Sequence, residues 1–480
     1  MEEKSKLKLF IENFLIYGVG GVISKIIPFV MLPIIIYLLP DSKIVGISDL
    51  SNTLVSLMSA FAVMGMYDAL YRMFFEREYD TDYKKKLCST TLIYTIFCTI
   101  IVFLIMMVGR TFFSKAFLKD SSYEMIVVIS AFTVLVGATN TIVSAPTRMQ
   151  NKRGIFLITN TLGPIISYSI AIIMIINGYY YIALPLAGLI SALIIEVVFY
   201  FLNKEWFSWE LFDKKIIRDL LQIAIPLLPN FLVYWVFNSF DKVMIAELLT
   251  VSEEGIYSVA AKIGQISQLI YVAFAGGWQY FSFVTMREKK QVEMNSKIFE
   301  YLGIISFVAT MGLCSVSYLL FQLFFPKEYL KGYVVAPYLF LAPLLQMMFQ
   351  VIANQFLVIK KTWPNLFILS GGALINVVLN YMLIPRIGIE GASIATLIGY
   401  IVSVTVCCFI LNKMKLFVVS KKFLLCVIGI VIYWIIWRFY LSKYFVFGIV
   451  LWAIIVVIYI VIYRKELMKL KRLIKKQNVD

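Results

Sequence analysis

The sequence predicts an all-α polytopic membrane protein of 14 transmembrane helices, built as two pseudo-symmetric six-helix lobes plus two C-terminal helices. Three observations lead there. Hydrophobic residues make up 61% of 480 and mean hydropathy is +0.87, more than a chain with a water-facing surface can carry. These residues are gathered into stretches long enough to cross a bilayer. Basic residues and a weak internal repeat fall in register with the stretches.

The spans run over 13–39, 44–70, 87–109, 123–145, 154–177, 181–203, 219–249, 254–283, 298–325, 333–359, 363–385, 389–412, 421–441 and 444–463. A helix of ~20 apolar residues covers ~30 Å of hydrocarbon and satisfies its own backbone hydrogen bonds, which lipid cannot do for it. The first span has acidic and basic flanks and no small-residue cleavage site, so it is read as a retained helix. Little chain is left between spans, and the longest outer connections hold about a dozen residues. No soluble catalytic domain fits there, which argues against a membrane-bound glycosyltransferase or polymerase and against an enzyme generally.

Charge orients the chain. Thirty-two Lys and Arg lie at the N-terminus, the C-terminal tail and every second connection, against eight on the opposite side, with Lys25, Lys242, Lys262 and Arg438 inside spans. This is the positive-inside bias, and it places both termini in the cytoplasm. The net charge of +16 is therefore topology, next to an anionic leaflet of membrane lipids, and not a nucleic-acid footprint. The tail Arg464–Lys476 spaces Leu467, Leu470 and Leu473 as one apolar face of a membrane-surface helix. The chain has six cysteines, none in a CxxC pair, and no histidine. Neither a zinc site nor histidine acid–base chemistry is expected, and no nucleotide-cradling loop or other cofactor site is apparent.

An offset of 209 residues relates the two halves. Gly46-Ile47 maps onto Gly255-Ile256, Tyr71 onto Tyr280, and Asn203-Lys204 onto Asn412-Lys413. Six helices per unit give both units one orientation, as in parallel-repeat transporters. The expected organisation is an N-terminal lobe (1–203), a cytoplasmic linker (204–218), a C-terminal lobe (219–413), helices 13 and 14 (414–463) and a basic cytoplasmic tail (464–480).

Polar residues lie on the repeat. Span 2 carries Asp49, Asn52, Ser56 and Ser59 at one-face spacing, and the offset takes Asp49, Thr53, Ser56 and Ser59 to Ser258, Lys262, Gln265 and Gln268 of span 8. Such faces point into a bundle or a wet cavity, because lipid would not solvate them. Simple interhelical hydrogen bonds, worth about 0.6 kcal/mol each, are the alternative; matching stripes in both halves favour a cavity. Each charge at mid-depth costs roughly 2.5–3.5 kcal/mol, so it is held for a partner or a purpose. Lys25 stands between Ser24 and Pro28 on span 1, and Asp241-Lys242 follow Pro226 and Pro229 on span 7. Lys242 and Glu247 lie near enough to the outer surface to snorkel, and Asp68 with Arg72 reads as a local i, i+4 ion pair. Lys25, Lys242 and Lys262 around one cavity suit an anionic cargo such as a diphosphate, with Asn52, Ser56, Gln265 and Gln268 suited to a sugar. A proton or sodium ion needs a carboxylate, for which Asp241 is placed first and Asp49 and Glu196 next.

The stretches GGVISKIIPFVMLPIIIYLLP (20–40), IPLLPNFLVYWVFNSFDKVMIAELL (225–249) and GIEGASIATLIGYI (388–401) resemble the polysaccharide transporter family. That family includes O-antigen and capsular-polysaccharide flippases within the multidrug/oligosaccharidyl-lipid/polysaccharide exporter superfamily. The resemblance covers the whole chain and implies two six-helix lobes plus two helices. It further implies flipping of an undecaprenyl-diphosphate-linked oligosaccharide across the bacterial cytoplasmic membrane by alternating access. Polymerase and chain-length proteins of the same pathway would be its partners. Only Lys25, Asp241 and Lys242 lie in the matching stretches. A cation-coupled multidrug antiporter would want a mainly acidic cavity, whereas these spans lean basic; a peptidoglycan-precursor flippase is a closer rival.

Overall fold

Helices occupy nearly all of the backbone in a computed structural model, which describes residues 26–76, 80–271, 274, 291–359, 361, 363–466 and 468. There is no strand among the described residues. In chain order the helices are α1 (Ile26–Leu38), α2 (Ser42–Val63), α3 (Met66–Glu76), α4 (Thr81–Val108), α5 (Ser121–Met149), α6 (Leu157–Ile176) and α7 (Tyr180–Trp206). They continue as α8 (Lys214–Leu248), α9 (Val251–Gly264), α10 (Gln291–Phe324), α11 (Lys327–Phe356) and α12 (Trp363–Ile387). The last three are α13 (Ile389–Lys413), α14 (Lys421–Leu441) and α15 (Phe445–Ile462). Twelve of these are long and apolar enough to cross a membrane, and each falls on one expected span. The other two expected spans, 13–39 and 254–283, lie partly outside the described residues, as does most of the basic tail.

Two spans are not simple rods. The expected span 44–70 turns a corner at Met64 and Gly65, whose φ values are 48° and 74°. Gly65 also lets α8 come close, since a Cβ there would stand 3.0 Å from the Ala224 carbonyl oxygen. In α8, Pro226 and Pro229 lack the N–H an α-helix needs. The chain answers with a 3-10 turn at Ile225–Leu227, a short α segment, and a π turn at Val236–Phe240. Within α3 one expected pairing is corrected. Asp68 now sits in the first turn of α3, where free N–H groups favour a carboxylate, and Arg72 pairs instead with Glu76, at 3.6 Å.

The chain divides into two compact units. Unit 1 holds residues 1–259 and 376–392. One of its cores joins Ile47, Leu50 and Leu54 of α2 to Met106 of α4 and Val127, Ala131 and Val134 of α5. Another joins Leu70 and Phe74 of α3 to Leu87 of α4 and Leu220 of α8. Hydroxyls and amides tie the helices where apolar packing stops. The Ser51 and Ser130 hydroxyls meet at 2.9 Å. Asn203, fully buried at the end of α7, donates to the Val143 carbonyl at 3.0 Å and accepts from Thr147 at 3.0 Å.

Unit 2 holds residues 260–375 and 393–480. Its α10 packs on α11, α14 and α15. Phe423 lies against Phe299 and Phe307, with ring centroids at 5.4 and 5.7 Å, and over Gly303, where a Cβ would stand 2.5 Å from the ring. The buried Glu300 of α10 accepts from the Ser420 backbone N–H at 2.8 Å and from the Tyr463 hydroxyl at 3.0 Å, pinning the ends of both C-terminal helices. An apolar cavity of about 600 Å³ lies between α10, α11, α13 and α14, with Phe307, Leu345, Val404 and Trp434 in its walls.

Candidate functional site

The π turn in α8 delivers Asp241 and Lys242 into the interior of unit 1. Lys242 does not snorkel. Its ammonium pairs with Asp49 of α2 at 2.7 Å, the two side chains being 15% and 7% exposed. A helix that has already been bent by two prolines turns this side chain inward, and the buried carboxylate offsets its desolvation. Glu247, one turn later, is exposed and pairs with Lys119 at 2.5 Å.

Asp241 is buried and is held from two directions. It accepts from the Lys242 backbone N–H at 2.8 Å and from the Tyr257 hydroxyl of α9. Glu254, also on α9 and fully buried, is a further electrostatic neighbour of Lys242. Three carboxylates on three helices thus neighbour the Lys242 ammonium. One proton or one monovalent cation changes the charge balance of such a set, and burial makes that change energetically large.

The structure brings together Asp49, Asp241 and Lys242 from the residues singled out in the sequence. Asn52 and Ser56 are exposed on α2. Ser56 accepts from the Trp235 indole N–H at 3.1 Å and donates to the Thr53 carbonyl at 2.8 Å. In unit 2, Lys262 and Gln268 are half-buried and Gln265 is exposed. Glu196 is half-buried on α7, beside Thr139 of α5. Lys25 lies outside the described residues.

A family model described as "Polysaccharide biosynthesis protein" matches residues 10–278, more than half of the chain. The chain belongs to that family. No curated protein sequence matches it significantly. Among solved structures it is similar to the lipid II flippase MurJ in an inward closed conformation, with TM-score 0.67 and 15% identity over 94% of this chain and 100% of that one. It is also similar to an outward-facing multidrug resistance MATE family transporter of the MOP superfamily. There the TM-score is 0.58, with 15% identity over 85% of this chain and 95% of that one. The fold of this family member is thus shared with a flippase and with transporters.

Sequence reasoning missed Glu254, Tyr257 and Trp235. Glu254 sits in the first turn of α9, where an acid reads as a solvent-facing end of a span. Tyr257 reads as an interfacial aromatic. The signal for both was Gly255 between them, a repeat glycine marking a close helix approach that buries its neighbours.

Proposed function

We propose that this protein is a flippase. It moves an undecaprenyl-diphosphate-linked oligosaccharide from the inner to the outer leaflet of the bacterial cytoplasmic membrane, for cell-surface polysaccharide such as O-antigen or capsule. The observation that carries this is the family match over residues 10–278 on a fold similar to that of a lipid II flippase. In this reading both termini are cytoplasmic and two six-helix lobes, 1–203 and 219–413, alternate in access. Lys25, Lys242 and Lys262 serve the diphosphate, and Asn52, Ser56, Gln265 and Gln268 the sugars. The exposed Asn52 and Ser56, with the Trp235 indole beside them, are of the kind that receives a sugar ring. The apolar cavity in unit 2 matches a polyprenyl chain in polarity. Asp241 and Asp49 carry a coupling proton or sodium ion, with Glu196 in reserve, since a gradient can drive transport only where a group changes charge between access states.

The test is genetic and chemical. Deleting the gene should leave lipid-linked oligosaccharide accumulated on the inner leaflet, and plasmid-borne wild type should clear it. Unaltered surface polysaccharide and no accumulated lipid would refute the reading.

A further inference from the structure

The two glycines that the repeat places in corresponding positions touch each other's helices. A Cβ on Gly46 would stand 2.1 Å from the Val251 carbonyl oxygen and 3.1 Å from Glu254 Oε2. One on Gly255 would stand 2.0 Å from the Ser42 carbonyl oxygen and 3.0 Å from the Gly46 nitrogen. The contact is reciprocal: α2 enters the space left by Gly255, and α9 the space left by Gly46. Small residues allow this backbone-on-backbone crossing between membrane helices, and no residue with a Cβ fits at either position. The flanking Ile44, Val45, Ile47 and Ile256 are all buried.

Two polar ties sit directly beside the crossing. Lys242 joins α8 to α2 through Asp49 at 2.7 Å, and Tyr257 joins α9 to α8 through Asp241. Three helices are therefore fastened at one depth. The charge bias puts the first residues of α2 and α9 on the side opposite the termini. In a parallel repeat, an element near the pseudo-two-fold axis meets its own counterpart, so the contact is made by the same residue of each repeat, as it is here.

We infer that the Gly46–Gly255 crossing is the outer gate of the transport path, and that the Lys242–Asp49 pair is its latch. The inference rests on the alternating-access reading above. Opening to the outside would part the two glycines and draw Asp49 away from Lys242, with water replacing the lost ion pair. Because the pair closes the gate only in one access state, it sets how often the path opens outward.

Accessibility tests this without any cargo. A thiol is introduced by Asn52→Cys, further along α2 from the crossing, and intact cells are treated with a membrane-impermeant maleimide. The native cysteines are buried apart from the half-buried Cys408, so the parent chain is the blank. Gly46→Ala or Gly255→Ala should raise the labelling rate about tenfold or more, since an outward-open state that is normally minor becomes prevalent. Lys242→Gln should raise it likewise, and exchanging the charges with Lys242→Asp and Asp49→Lys should return it toward the parent rate. Unchanged labelling in glycine variants that remain monodisperse in detergent would overturn the gate. If those variants fail to fold, unchanged labelling in Lys242→Gln overturns it. A rise seen only in inverted vesicles would overturn the outer placement. A wrong cargo assignment would leave every one of these results standing, so the two readings fail separately.

Discussion

Removing Lys242 should cost more stability than removing Asp49, and removing both should cost less than the two single losses added together. At 2.7 Å and an effective dielectric near 20, the attraction is about 6 kcal/mol before desolvation is counted. Most of that offsets the burial of the two charges, so the net worth of the pair is small. Losing one partner is a different matter, because the other stays buried without that countercharge, at a cost of about 3–5 kcal/mol. Lys242→Met leaves Asp49, Asp241 and Glu254 around a vacated cation and belongs at the upper end of that range. Asp49→Asn leaves Lys242 with two carboxylates nearby and belongs at the lower end. In the double variant the Lys242–Asp49 attraction is lost only once, so its cost should fall short of the summed single losses by a coupling of at least about 2 kcal/mol. Equilibrium unfolding in mixed micelles with increasing dodecyl sulfate measures all four corners of the cycle. Additive losses, with no recovery in the double variant, would refute the argument that the two charges exist for one another.

Four further outcomes follow from the same geometry and from the sequence. Lys25→Ala should abolish polysaccharide export while leaving folded protein in the membrane, and Lys25→Arg should retain part of it; full export by the Ala variant removes Lys25 from the cargo path. Asp241→Asn should alter the dependence of transport on an imposed proton or sodium gradient in vesicles, and unchanged dependence at normal rates removes Asp241 from coupling. Gly303→Ala puts a methyl group 2.5 Å from the Phe423 ring and should destabilise by about 1–3 kcal/mol through overpacking, visible as a lower melting point in detergent. Glu300→Ala removes the acceptor that joins Ser420 and Tyr463 to α10 and leaves the part-buried Ser420 amide without it, about 1–3 kcal/mol. Hydrogen exchange over 421–466 should then quicken, and exchange as slow as in the parent would show that packing alone holds α14 and α15.

The sequence by itself determined where twelve of the helices run, the family of the chain and its membrane class. Each is a property summed along the chain: hydrocarbon demands an unbroken apolar length, and that length can be counted residue by residue. It also pointed to Gly46 and Gly255 as counterparts and to Asp49, Asp241 and Lys242 as costly charges, because a charge inside an apolar span stands out in one dimension. Tertiary structure alone decided whom those charges meet. Lys242 passes over its neighbour Asp241 for Asp49 on a distant helix, and Glu254 and Tyr257 become interior groups. These choices depend on where a proline-bent α8 points its side chains and on how closely two glycines let α2 and α9 cross. Partner choice at a helix crossing is set by angle and distance in three dimensions, and neither is written in the spacing of residues along one strand of sequence.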